Sequence, residues 1–134
     1  MSLSENNHIF KKEDFGDDFL WGISTSATQT EGNTKDDGKG DSIWDEFARK
    51  KNAIVNNDSP STATNFYENY KEDIQILKNL GIPNFRFSLS WPRIIPNGIG
   101  DINQKGIDFY HNVIDYCLEN EIEPFVTIYH WDLP

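Results

Sequence analysis

The chain has 134 residues, a formal net charge of −10 and a pI of about 4.6. That length allows one ordinary domain, and the acidic surface repels phosphate, which excludes nucleic acid and anionic membranes as partners. Four Trp, five Tyr and nine Phe exclude a disordered chain.

Residues 1–15 read as a polar lead-in without the continuous apolar core of a secretory leader. No later run approaches a membrane span, and the single cysteine, Cys117, has no partner for an internal disulfide. These features predict a cytoplasmic protein.

"FLWGIS", residues 19–24, is short, apolar and aromatic, and predicts a buried strand. Residues 25–62 are rich in Gly, Asp, Asn, Ser and Lys and form a long irregular stretch of the kind that usually carries function. Within it, residues 41–50 suit one or two helical turns. Tyr67, Tyr70, Ile74 and Leu77 then recur at helical spacing, with Phe66 and Leu80 beside that stripe and Gly81 placed to stop the helix. "NFRFSLSW", residues 84–91, alternates strictly: Phe85, Phe87, Leu89 and Trp91 on one face, Arg86, Ser88 and Ser90 on the other. This is a strand pattern. Pro92, Pro96, Gly98 and Gly100 mark a loop. Asn103 is placed to cap a second helix running to about residue 120, with Ile107, Tyr110, Ile114 and Cys117 facing inward. Pro124 breaks the chain, and residues 125–130 read as a third strand.

Strand, helix, strand, helix, strand predicts right-handed βαβ units and a parallel α/β sheet. Strands of an open doubly wound sheet are apolar on both faces, but the second strand here carries Arg86, Ser88 and Ser90 on one side. A buried Arg costs on the order of several kcal/mol unless paired, so Arg86 is expected to face a carboxylate. The polar mouth of a (β/α)8 barrel, where catalytic groups collect at the strands' C-terminal ends, suits it.

"FLWGISTSATQTEGN" resembles the N-terminal signature of glycoside hydrolase family 1, the β-glucosidase family, through Phe19, Trp21, Gly22, Ser24, Ser26, Ala27, Gln29, Glu31 and Gly32. "SIWDEF", "YKEDIQILKNLGIPNFRFSLSWPRIIPNGIGDIN" and "YHWDLP" resemble further blocks of that family in the same order, so the resemblance covers roughly residues 15–134. It implies that the chain is a single incomplete domain, the first three strands and two helices (residues 16–134) of a TIM barrel. It also implies a retaining hydrolase acting on a small-molecule β-glycoside without a cofactor, which requires the remainder of the barrel.

On the same resemblance, Gln29 and His130 correspond to residues that hydrogen-bond the hydroxyls of the non-reducing sugar, and Trp131 walls that subsite. Arg86 corresponds to the arginine beside the nucleophilic carboxylate. The chemistry suits the roles: an amide and a neutral imidazole each offer both donor and acceptor to a hydroxyl, an indole offers an apolar face, and a nearby cation keeps a carboxylate ionised. Trp131, where branches acting on 6-phosphosugars usually carry Phe, points to an unphosphorylated glycon such as glucose. Thr28, Asn33 and Asp41 depart from the usual pattern and affect the entrance loop.

Other apparent signals fail. "GNTKDDGKGDS" has the wrong spacing for a phosphate loop. Asp36, Asp37 and Asp41 lack calcium-loop spacing, and His8, His111 and His130 show no metal-ligand pattern. Asn57-Asp58-Ser59 is a glycosylation sequon, expected to be chance because no secretory leader is read in the sequence. Glu119, Glu121 and Glu123 read as a solvated helix end. A retaining glycosidase needs two carboxyl groups about 5 Å apart. The family carries them in Asn-Glu-Pro and Glu-Asn-Gly motifs, and neither occurs in these 134 residues. The chain alone is therefore expected to be inactive. The alternative is a truncated, non-catalytic sugar-binding or assembly module.

Overall fold

The computed structural model describes residues 10–134. The first part of the expected lead-in, and His8 with it, lie outside the described residues. Three parallel strands stand in sequence order: β1 (Gly22–Ser24), β2 (Asn84–Ser88) and β3 (Glu123–Thr127). The register aligns Ser24 with Arg86 and Arg86 with Phe125, and aligns Ser88 with Thr127. Because neighbours at one register level point the same way, Ser24, Arg86 and Phe125 share one sheet face and Ile23, Phe85 and Pro124 the other.

Two long helices cover the second face: α3 (Phe66–Asn79) and α5 (Gln104–Glu119). Three short helices complete the set: α1 (Ala27–Thr30), α2 (Ile43–Ala48) and α4 (Trp91–Ile94). Phe85 and Phe87 of β2 are buried against Phe66, Ile74 and Leu77 of α3 and Phe109, Tyr110, Val113 and Cys117 of α5. Burying a Phe or Ile side chain stabilises by about 1.5–3 kcal/mol, so this single cluster carries the fold. The α3 stripe is as expected except for Leu80, which is exposed. Gly81 ends the helix at φ +66°.

Several expectations need correction. β1 is only three residues long and exposed, not a buried strand over 19–24. It is an edge strand, and its aromatic approach packs on itself instead: Phe15, Phe19 and Trp21 pair with ring centroids 4.9 Å apart. β2 ends at Ser88, so Trp91, expected to end that strand, instead opens α4, and residues 92–94, expected as loop, continue it, because Pro92 fits the first turn of a helix. Asn103 sits at the N-cap of α5 but does not cap it. Its amide donates to the carbonyls of Asp37 and Arg93, tying the irregular stretch to α4. The inner face of α5 also includes Phe109 and Val113. β3 starts at Glu123 and includes Pro124, tolerated on an edge strand, and it ends three residues before His130.

The 25–62 stretch is held rather than loose. Gly40 N–H donates to Pro92 O, Ile43 N–H to Leu133 O and Asn33 N–H to Ser61 O. Gly32 stands at φ +66° where a Cβ would come 2.1 Å from Thr62 O. Ser42 and Asp45 form a reciprocal capping box at the start of α2, buried beside Lys39.

Candidate active site

The face of the sheet away from α3 and α5 ends in a polar cluster at the strands' C-terminal side. Arg86 projects from the middle of β2, half-buried. Its Nε donates to Thr127 Oγ1 at 2.9 Å on β3, and its Nη1 donates to Ser24 Oγ at 3.0 Å on β1. Its Nη2 lies 3.4 Å from His130 Nδ1. One guanidinium thus bridges all three strands. A guanidinium has no acceptor, so in this contact His130 Nδ1 accepts and the imidazole proton sits on Nε2, free to meet a ligand. No carboxylate pairs with Arg86 among the described residues. The side chain keeps access to water, which removes the need for a paired charge that full burial would impose.

Gln29 lies in α1, exposed, with Ser26 Oγ donating to its Oε1 at 2.8 Å. This short helix is fastened over the end of β2, because Ala27 N–H donates to the buried Ser88 Oγ at 2.8 Å and Thr25 N–H to Arg86 O at 2.9 Å. Trp131 is 67% exposed, its ring 6.1 Å from Tyr129 and its backbone at φ +66°. A bulky residue in the left-handed region is strained. The structure therefore brings Arg86 and His130 into contact and sets Gln29 above the same strand end, while the Trp131 side chain stands out in solvent beside Tyr129.

Behind this cluster lies a buried charge network that the periodicity does not reveal. Arg93, from α4, is fully buried and its Nε donates to Glu31 Oε2 at 3.0 Å. Tyr110 OH, from α5, donates to Glu31 Oε1 at 2.6 Å and accepts from Ser90 N–H at 2.6 Å. The Arg93 guanidinium also donates to Gly32 O, and it stacks 4.1 Å over the Tyr67 ring. Burial, reinforced by the Glu31 charge, pushes the Tyr110 hydroxyl well above its ordinary pKa and so keeps it a donor. The available sequence signal is Arg93 itself, a lone charge inside the apolar run "SWPRII".

Asp132 is likewise buried; among the described residues no side chain pairs with its carboxylate, which lies against the backbone N–H groups of His130 and of Asp132 itself. Burial pushes its carboxyl up to about 6, helped by the Glu31 charge and offset in part by nearby backbone N–H groups and Lys39. A cleft of about 630 Å³ between α2 and Pro134 lies elsewhere and is lined by Ile43, Trp44 and Phe47 among others. Among the described residues no group of three His, Cys, Asp or Glu side chains could hold a metal, and no helix is long and apolar enough to cross a membrane.

The sequence profile of glycosyl hydrolase family 1 matches residues 11–134. The chain is 51% identical over 120 residues to β-glucosidase A of Thermotoga maritima, covering 90% of this chain and 27% of that one. It is also 51% identical over 121 residues to the 6-phospho-β-glucosidase GmuD of Bacillus subtilis, covering 90% and 26%. Among solved structures, the Thermotoga maritima β-glucosidase in complex with glucoimidazole superposes with a TM-score of 0.85 at 52% identity, covering 87% of this chain and 26% of that chain. The chain thus spans about a quarter of the length of the relatives it matches, and its three parallel strands are the N-terminal part of a (β/α)8 barrel. The chain belongs to glycosyl hydrolase family 1.

Proposed function

We propose that this chain is the N-terminal portion, and a single incomplete domain, of a retaining β-glucosidase that removes terminal β-linked glucose through a covalent glycosyl-enzyme. The observation that carries the reading is Arg86 held by Ser24, Thr127 and His130 across the open mouth of the sheet. In this position its charge is available to a carboxylate from a later strand, and a cation beside the nucleophile keeps it ionised. Gln29 and His130 Nε2 would hold the hydroxyls of the terminal sugar, and Trp131 would become its wall once further strands cover it. Hydroxyl recognition of this kind discriminates strongly, because an analogue lacking the hydroxyl leaves buried polar groups unpaired.

The glycon is glucose rather than a 6-phosphosugar. Relatives of both kinds are equally similar overall, at 51% identity each, so the discrimination rests on Trp131 and on the acidic charge of the chain, which disfavours a phosphate. The test is turnover by the full-length enzyme carrying this segment. Nitrophenyl β-glucoside is hydrolysed and its 6-phosphate is not. Preference for the phosphorylated substrate overturns the glycon assignment.

A further inference from the structure

The entry to α1 reads "SATQ", Ser26 to Gln29, which is the Ser-x-x-Gln pattern of a capping box. In a capping box the Ser oxygen accepts from the N–H three residues on, and the Gln side chain turns back to the N–H of the Ser. Neither bond forms here. Ser26 stands at the N-cap without a side-chain cap, and Gln29 N–H goes to the Ser26 carbonyl at 3.1 Å instead. The two side chains bond each other: Ser26 Oγ donates to Gln29 Oε1 at 2.8 Å.

The cap that Ser26 forgoes is supplied from the sheet. Ser88 Oγ, on β2 and buried, accepts Ala27 N–H at 2.8 Å, one of the donors that a helix start leaves open. The Ser26 carbonyl accepts from Thr30 N–H at 3.1 Å and from Thr30 Oγ1 at 3.0 Å. The backbone of α1 is thus held without the Ser26 hydroxyl. Ser26 is buried and Gln29 exposed, so one end of the pair is fixed in the fold and the other faces outward. An amide has an acceptor oxygen and a donor nitrogen. With the oxygen tied to Ser26, and no acceptor on Nε2 among the described residues, the nitrogen is the end left for a ligand.

We propose that Ser26 is a positioning residue for the sugar subsite: its hydroxyl holds the Gln29 amide by the oxygen and so presents the nitrogen as the donor that meets the terminal sugar. This role rests on the β-glucosidase reading, in which Gln29 binds the glycon. A free glutamine side chain has several rotatable bonds, and ordering it at the moment of binding costs affinity. Ser26 removes part of that cost before the sugar arrives. It also fixes which half of a hydroxyl is recognised: the sugar oxygen accepts, and its proton is left for another group. His130 Nε2, which carries the imidazole proton, is a donor as well, so both groups seek lone pairs of the sugar oxygens.

The experiment is a double-mutant cycle in the full-length enzyme that carries this segment, read as kcat/KM on nitrophenyl β-glucoside. Ser26→Ala keeps the main-chain bonds of α1 and should melt with wild type. Its kcat/KM should fall about fivefold, the size of one hydrogen bond. In a Gln29→Ala background the same substitution should cost less than about twofold, since the hydroxyl then has nothing to hold. Ser26→Thr keeps the hydroxyl, and the extended backbone at Ser26 (φ −137°, ψ 149°) suits a β-branched residue, so it should recover most of the loss. Equal losses in the two backgrounds overturn the proposal, as do equal losses in Ser26→Ala and Ser26→Thr. Loss in Gln29→Ala without loss in Ser26→Ala removes the Ser26 role and leaves the glycon reading standing. If Gln29→Ala has no effect, or wild type does not turn over the glucoside, the glycon reading itself fails and the Ser26 role goes with it.

Discussion

Arg93 and Glu31 lie 62 positions apart in the chain and meet as a 3.0 Å ion pair, with side chains 0% and 5% exposed. Glu31 closes the short helix that carries Gln29, and Arg93 sits in the helix that follows β2. The pair therefore fixes the site's entrance to the sheet. Breaking a buried pair from one side leaves an uncompensated charge, at a cost of about 3–5 kcal/mol. Glu31→Gln should lower the stability of the full-length enzyme by about that much in chemical denaturation. A loss below about 1 kcal/mol would show that water reaches Arg93. Tyr110→Phe removes a neutral hydroxyl that donates to Glu31 and accepts from Ser90 N–H, and should cost less, about 1–3 kcal/mol.

Gly32 provides a second, purely steric prediction. Its φ is +66°, and a Cβ at this position would stand 2.1 Å from Thr62 O, which leaves no room for any side chain. Gly32→Ala should therefore destabilise by more than the roughly 1 kcal/mol typical of a surface change, and it should raise KM because Gln29 lies three residues earlier. An unchanged melting temperature would contradict the close contact between the 32–34 turn and residues 61–62.

Much of this architecture is legible in the sequence, and the failures have physical causes. The α3 stripe and the alternation of β2 stand out because one face of each is buried in the common core, which imposes a period. β1 and the end of β3 mislead because their apolar residues have no helix over them, so hydrophobicity there marks surface left for other parts of a barrel. Arg86, Gln29, His130 and Trp131 can be singled out through the family resemblance, and geometry brings only Arg86 and His130 into contact. Glu31, Arg93 and Tyr110 escape notice since they come from three elements with no shared spacing. Asp132 is hidden behind the more conspicuous His130 and Trp131.

Asp132 also makes stability depend on pH, in a direction opposite to that of most carboxylates. Its folded-state value, about 6, lies above the ordinary 3.8, so between those values the native state binds a proton that the unfolded chain has released. Stability then falls as pH rises from about 4 to 6 and levels off above. The two-unit shift corresponds to about 3 kcal/mol at most. Asp132→Asn should remove this slope, so the variant should be more stable than wild type at pH 7 and not at pH 4. Denaturation midpoints at the two pH values check it, and equal midpoint differences at both would refute it.

Arg86→Lys keeps the charge but gives up the fork that reaches Ser24, Thr127 and His130 together. The expected result is a fall in kcat of about 100-fold, near 2.7 kcal/mol of transition-state stabilisation, with a smaller change in KM. A fall confined to KM would move Arg86 from the nucleophile to the sugar.

Turnover of nitrophenyl β-glucoside by the purified 134-residue chain, set beside the full-length enzyme, tests the central claim most directly. The account predicts no hydrolysis by the chain alone. It predicts hydrolysis by the full-length enzyme that drops by at least about 100-fold in Gln29→Ala and in His130→Ala, as expected when hydrogen bonds to a substrate hydroxyl are lost. Turnover by the isolated chain that disappears on either substitution would contradict it, because the catalytic carboxylates would then have to lie within these residues.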